Sequence, residues 1–155
     1  MDQPQYNRDL QVRPLVEDDL GPARMLAARA FEEDCQDWFG VDTIFGGFNS
    51  DGTLMCVLDY DPASMWWGQV SIPAGAIGGV ATDPKHQGHG HAGGLMVKTI
   101  HLLREQGRCV CPLWPFSFAW YGKFRMVLSR SLGHPQNVAG SGVQDRCYRR
   151  NGAPC

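Results

Sequence analysis

The sequence predicts one α/β domain, a mixed and mostly antiparallel sheet flanked by helices, and three observations carry that prediction. The chain has 155 residues, 43% hydrophobic and 19% charged, which is one domain of ordinary composition. Short runs of strand character alternate with two segments of helical period. Glycine is in excess, 19 residues of 155 against the roughly 7% of an average chain. Seven of those glycines (Gly75, Gly78, Gly79, Gly88, Gly90, Gly93, Gly94) crowd into residues 75–94, across a predicted strand-to-helix junction. They follow no Gly-X-Y period, so a collagen-like chain is excluded.

The elements follow in order. Residues 10–15 alternate apolar and polar up to Pro14, which predicts a first strand ending at a turn. Glu17, Asp18 and Asp19 then precede Leu20, Ala23, Leu26, Ala27, Ala30 and Phe31 at helical spacing, with negative charge at the end a helix dipole favours. Residues 32–42 are acidic and aromatic without a period and read as loop or short helix. Residues 43–48 and 53–60 flank Asn49-Ser50-Asp51-Gly52, the chemistry of a hairpin turn. Two further strands are predicted at 66–72 and 76–82, joined through Pro73 to Gly75. From His91 the period becomes helical, with Ala92, Leu95, Met96, Thr99 and Leu103 on one face and Gly107 as the C-terminal cap. Residues 109–114 read as a short buried strand and 117–124 as a short aromatic helix. As members of these patterns, Trp66, Trp67, Trp114 and Trp120 are expected in the core.

Charge is uneven. Residues 1–61 carry thirteen acidic and four basic side chains (−9), while residues 62–124 carry +3 and residues 125–155 carry +4. The basic footprint of a nucleic-acid binder is missing from the first half. No apolar run reaches the ~20 residues of a membrane span, and the N-terminus is polar, so the expectation is a cytoplasmic chain with no membrane partner. Without an export signal, the six cysteines are expected as thiols. Cys109 and Cys111 form only C-x-C, and His86, His89 and His91 fall in a loop without a fixed helical face, so no metal site is predicted.

Residues 80–94 run from strand, through a loop broken by Pro84, into a helix. Backbone N–H groups at such a junction point outward together, and the helix N-terminus adds about half a positive charge. The junction therefore suits a phosphate. It matches neither G-x-G-x-x-G nor G-x-x-x-x-G-K-[ST], which makes dinucleotide and Walker-type readings poor.

Gln87-Gly88-His89-Gly90-His91-Ala92 resembles the Q/R-x-x-G-x-G/A loop of the GNAT superfamily of N-acetyltransferases. Residues 77–84 before it and residues 113–124 after it, with Tyr121-Gly122-Lys123-Phe124, are similar to the N-terminal domain of the Eis (enhanced intracellular survival) acetyltransferases. The resemblance covers residues 10–124 in the right order and implies a GNAT domain there. It implies acetyl-CoA as cosubstrate, with the pantetheine arm on backbone groups of Val80, Ala81 and Thr82 and the pyrophosphate wrapped by Gln87, Gly88, His89, Gly90, His91 and Ala92. It also implies that Tyr121 protonates the departing thiolate. The acceptor would be a primary amine of a small molecule or a protein lysine, and homo-oligomers are compatible with the family.

The strand at 76–82 contains no carboxylate to serve as base. In Eis proteins that role belongs to the C-terminal carboxylate, supplied by later domains with no counterpart in this sequence. Asp59, Glu32 or a water relay are the alternatives. Family members also close with two more strands after the tyrosine helix. Residues 125–155 here are basic and unpatterned, which predicts an irregular tail, disordered or truncated, and a sheet incomplete at its C-terminal end. A non-catalytic coenzyme A-binding module and a fragment of a larger Eis-like enzyme are the competing readings.

Overall fold

The computed structural model describes residues 6–32, 34–35 and 41–127. Strand β1 (Gln11–Pro14) leads into helix α1 (Glu17–Phe31), then β2 (Ile44–Phe48), β3 (Leu54–Trp67), β4 (Val70–Thr82), helix α2 (His91–Glu105) and helix α3 (Phe118–Gly122). The four strands form one sheet in the order β1-β2-β3-β4, every neighbour antiparallel.

Alternation along the strands builds two cores, one on each face of this sheet. Ile44, Phe48, Val57 and Ala81 pack with Leu20, Ala23, Leu26 and Ala27 of α1. Phe45, Cys56, Leu58, Tyr60 and Ile77 pack with Leu95, Met96 and Leu103 of α2, and Tyr121 of α3 joins them. The start of α1 is set by Asp19, whose carboxylate accepts from the Val16 N–H at 2.9 Å and takes a two-armed contact from Arg13 at 2.6 and 3.0 Å. The hairpin at 49–53 forms as predicted. Asn49 Oδ1 accepts from the N–H groups of Asp51 and Thr53, and Gly52 takes the positive φ of 86° that the turn requires.

The second hairpin differs from expectation. Residues 66–72 and 76–82 are not separate strands joined at Pro73 to Gly75. β3 and β4 pair continuously out to Trp67↔Val70, and the turn is Gly68-Gln69. Pro73 interrupts nothing because its carbonyl points away from β3, accepting from Cys109 N at 2.9 Å, so its missing N–H removes no rung between β3 and β4. This ribbon runs past β2, whose pairing with β3 reaches only Asp59. Trp66 and Trp67 near its tip are therefore exposed, and Trp114 is exposed too, so the core position expected of all four is not found, and only Trp120 packs partly buried against the core.

The predicted strand at 109–114 is an irregular parallel segment. It meets β4 through the bridges Ala74↔Val110 and Ile77↔Leu113, which makes the sheet mixed as anticipated. Cys35, Cys56, Cys109 and Cys111 are free thiols. Residues 125–127 follow α3 without regular structure. The rest of the expected tail, with Cys147 and Cys155, lies outside the described residues.

Candidate active site

The free edge of β4 is paired for only part of its length. Gly75 N donates to Val110 O at 2.9 Å and Ile77 N to Pro112 O at 2.8 Å, and Ile77↔Leu113 is the last bridge. At the next step β4 bulges. Asp59 pairs with Gly78 and Val57 with Ala81, so Gly79 and Val80 stand opposite Leu58 alone, and Gly79 takes a φ of 50°. Beyond the bulge Asp83 N donates to Met55 O on β3 at 3.0 Å. Alternation back from Asp83 turns the main chain of Ala81 toward β3 and those of Val80 and Thr82 toward the unpaired side. β4 and the segment 109–113 thus part at Ile77, leaving a wedge whose β4 wall offers main-chain groups of Val80 and Thr82.

The glycine loop stands at the mouth of this wedge, anchored by Asp83. The Asp83 carboxylate accepts from Lys85 N at 3.0 Å and pairs with Arg29 of α1 at 2.7 Å. The Lys85 N–H bond first, and then Arg29, hold the Asp83 carboxyl below its usual range against the opposing effect of burial. A short 3₁₀ turn (Pro84–His86) follows, then Gly88 at φ 81° and Gly90 at φ 75°, and α2 starts at His91. Both glycines lie in the left-handed region that side chains resist. Gln87, Gly88 and His89 are exposed, and Gly90, His91 and Ala92 half-buried. The three imidazoles gather here, with ring centroids 5.9 Å apart for His89–His91 and 6.4 Å for His86–His91. Burial, then repulsion from His89 and His86, lowers the His91 pKa from its ordinary value of 6.5.

Gly93 and Gly94 serve a different purpose from the loop glycines. A Cβ on Gly94 would stand 2.3 Å from Asn7 O, and one on Gly93 would stand 3.1 Å from Tyr6 Cβ. They let the chain ahead of β1 lie across the first turn of α2. Asn7 N donates to Gly90 O at 3.1 Å, Asn7 Nδ2 meets His91 Nδ1 at 3.2 Å, and Lys98 Nζ donates to the carbonyls of Arg8 and Leu10. This strap was not anticipated from the sequence. The adjacent glycines early in an otherwise good helix were its only trace.

Tyr121 lies on the α2 side of the sheet, in the same cluster as Ile77 and Leu95. Ser117 starts α3, its hydroxyl accepting from Trp120 N at 3.2 Å, and the Tyr121 ring meets Trp120 and Phe116 edge-on at 4.8 and 5.3 Å. Burial pushes the phenol up to about 12, so it stays protonated at neutral pH. Of the alternative bases, Glu32 is exposed at the C-terminal end of α1, whereas Asp59 is level with the bulge.

Known proteins give this geometry a context. No curated protein matches the sequence. Solved structures share the fold: a GCN5-related N-acetyltransferase from Kribbella flavida (22% identity, TM-score 0.64) and Eis1 from Mycobacterium abscessus (18%, 0.64) each match 74% of this chain. The chain spans 32% and 31% of their lengths, about a third of each. A GNAT family acetyltransferase from Brucella melitensis, solved in complex with acetyl-CoA, matches 90% of this chain and 100% of its own, with 19% identity and a TM-score of 0.65. The family model for the acetyltransferase (GNAT) domain matches residues 11–125. That span runs from the first residue of β1 to just past α3 and takes in the wedge, the glycine loop and Tyr121, and on it the chain belongs to the GNAT acetyltransferase family.

Proposed function

We propose that residues 10–124 form an acetyl-CoA-dependent N-acetyltransferase domain acting on a primary amine, of a small molecule or of a lysine side chain. The observation that carries the reading is the wedge between β4 and the segment 109–113, with the glycine loop at its mouth and Tyr121 on the α2 face. The fit rests on the free β4 edge. Outward main-chain groups on Val80 and Thr82 match the amides of a pantetheine arm, which would bind like an added strand. Ala81, turned toward β3, would contribute the wall rather than a hydrogen bond. Gln87, Gly88, His89, Gly90, His91 and Ala92 would hold the pyrophosphate through loop and helix N–H groups, with Lys85 as the permanent cation nearby.

When bound, acetyl-CoA supplies an activated acetyl group on a thioester. Tyr121 would donate to the departing sulfur. A phenol near 12 is always loaded with its proton, but full transfer to a thiolate of pKa ~8.5 is uphill by roughly 5 kcal/mol. Its contribution is therefore a strong hydrogen bond made as charge develops, with solvent completing the protonation. The acidic first half of the chain suits a cationic acceptor. No described helix is long and apolar enough to cross a membrane, and we place the reaction in the cytoplasm, with an Eis-like acceptor range and self-association open to test.

Two measurements test the proposal. Thermal shift and calorimetry with coenzyme A are expected to show saturable binding. Thiol release from acetyl-CoA with a panel of amines is expected to exceed the amine-free rate. Binding without amine-dependent release would leave a coenzyme A-binding module instead, and no binding would overturn both readings.

A further inference from the structure

Asp59 occupies a costly position. Aspartate is depleted in strands, and Asp59 sits within the sheet, paired with Ile44 of β2 on one side and Gly78 of β4 on the other. Its neighbours Leu58 and Tyr60 point into the α2-side core, so Asp59 faces the opposite surface, the one Ile44 shares with α1. There Oδ1 lies 2.8 Å from where a Cβ on Gly78 would stand, so the carboxylate crosses β4 over a residue that has no side chain to deflect it. Gly78 directly precedes the bulge at Gly79, and Val80 lies two residues on, with its main chain along the wedge.

The carboxylate and Tyr121 therefore stand on opposite faces of the sheet, the carboxylate at the level where β4 and the segment 109–113 part. Acyl transfer can use that arrangement, because the nitrogen adds to one face of the planar thioester carbonyl while sulfur lies in its plane, so the base and the donor to sulfur occupy different sides of the tetrahedral intermediate. We infer that Asp59 is the base that takes the proton from the attacking amine, an assignment that rests on the acetyltransferase reading above. The acceptor arrives as an ammonium and gives one proton to the Asp59 carboxylate, which passes it to solvent. The neutral nitrogen then forms a bond to the acetyl carbon, the carbon–sulfur bond breaks with its electron pair going to sulfur, and the second proton leaves nitrogen for Asp59. Solvent protonates the thiolate, which Tyr121 stabilises by a hydrogen bond.

Two further carboxylates suit a cationic acceptor, while Arg24 of α1 is the opposing charge. Asp61 follows on the same face of β3, and Asp42 lies two residues before Ile44. α1 lays apolar Leu20, Ala23, Leu26 and Ala27 on this face, with Arg24 half-buried beside them.

The test compares wild type with Asp59→Asn and Asp59→Glu, using the best amine from the panel. Asp59→Asn is expected to lower kcat/KM by about 10²-fold or more and to move the acidic limb of its pH profile up to the titration of the free acceptor amine. Coenzyme A binding by calorimetry should stay within twofold of wild type. Asp59→Glu, which keeps a carboxylate, should keep the acidic limb at a reduced rate. If Asp59→Asn does not fold, Gly78→Ala takes its place, since the new methyl presses on the carboxylate from 2.8 Å; kcat should fall with coenzyme A binding intact. An acidic limb left at its wild-type position in Asp59→Asn, or kcat unchanged in Gly78→Ala, overturns the assignment while the acetyltransferase reading stands. Wild type that binds coenzyme A but acetylates no amine overturns both.

Discussion

Replacing Gly94 by alanine separates two jobs that glycine does around the loop. In an exposed helix interior the change would stabilise by about 1 kcal/mol, because alanine is the better helix former. Gly94 lies in the first turn of α2, but its new methyl would stand 2.3 Å from Asn7 O, more than about 1 Å inside ordinary contact. Backbone must give way. If the strap retreats, it loses the Asn7 N to Gly90 O bond and slackens the two carbonyl contacts of Lys98. Overpacking of this kind costs about 1–3 kcal/mol, so the net expectation is destabilisation by about 1 kcal/mol. Gly21→Ala in α1 is the control: nothing lies within 4 Å of its new Cβ and its φ is not positive, so only the helix gain of about 1 kcal/mol remains. Urea unfolding followed by tryptophan fluorescence should place the two variants on opposite sides of wild type, about 2 kcal/mol apart. If Gly94→Ala is as stabilising as Gly21→Ala, residues 6–10 do not pack on α2, and the account of Gly93 and Gly94 as close-approach residues is wrong.

Three further outcomes are expected. His91, held low by burial and its histidine neighbours, would be drawn upward by bound pyrophosphate. Coenzyme A affinity should then strengthen as pH falls from ~8 toward ~6, through the window between the raised value in the complex and the lowered value without it; calorimetry giving one Kd at pH 8, 7 and 6 refutes this. Tyr121→Phe should cut kcat about 10²-fold with little loss of coenzyme A affinity, and an unchanged kcat removes the donor role. Asp83→Ala should cost about 1 kcal/mol at pH 7 by freeing Lys85 N–H and Arg29. Because the folded carboxyl lies below its ordinary 3.8, the stability it confers is present above that value and is lost as pH falls through the folded pKa. Urea unfolding near pH 2 should therefore show wild type and Asp83→Ala converging, and a difference that persists there contradicts the linkage.

Much of the fold was legible because its determinants are local. The helical period from His91 and the Asn49 to Gly52 turn depend on residues within a few positions of each other, and both formed as predicted. The β3–β4 ribbon misled for an equally physical reason. Pro73 and Gly75 look like a break in any window read alone. What neutralises Pro73 is which side of β4 its carbonyl faces, and that is fixed by Cys109, far along the chain. The glycine cluster likewise marked the right place while hiding several jobs. Gly88 and Gly90 supply left-handed backbone, Gly93 and Gly94 admit Asn7 and Tyr6, and Gly78 leaves space for a carboxylate.

The base shows the limit most sharply. β4 carries no acid between Ala76 and Thr82, and the sequence leaves Asp59, Glu32 and a water relay open as alternatives without a means of choosing among them. The carboxylate beside β4 belongs to β3, and only register puts it there. Asp59 opposes Gly78 because β3 and β4 pair without a break from Trp67↔Val70 at the turn, and the bulge against Leu58 comes only after it. Shifting that pairing by one residue would carry Asp59 to the face that holds Tyr60 and Leu95, where an unpaired charge costs several kcal/mol. The apolar run from Leu54 to Leu58 and the Tyr60 ring therefore do more than build the two cores. With Leu58 and Tyr60 turned into the α2-side core, alternation leaves Asp59 on the α1 face, opposite the phenol of Tyr121.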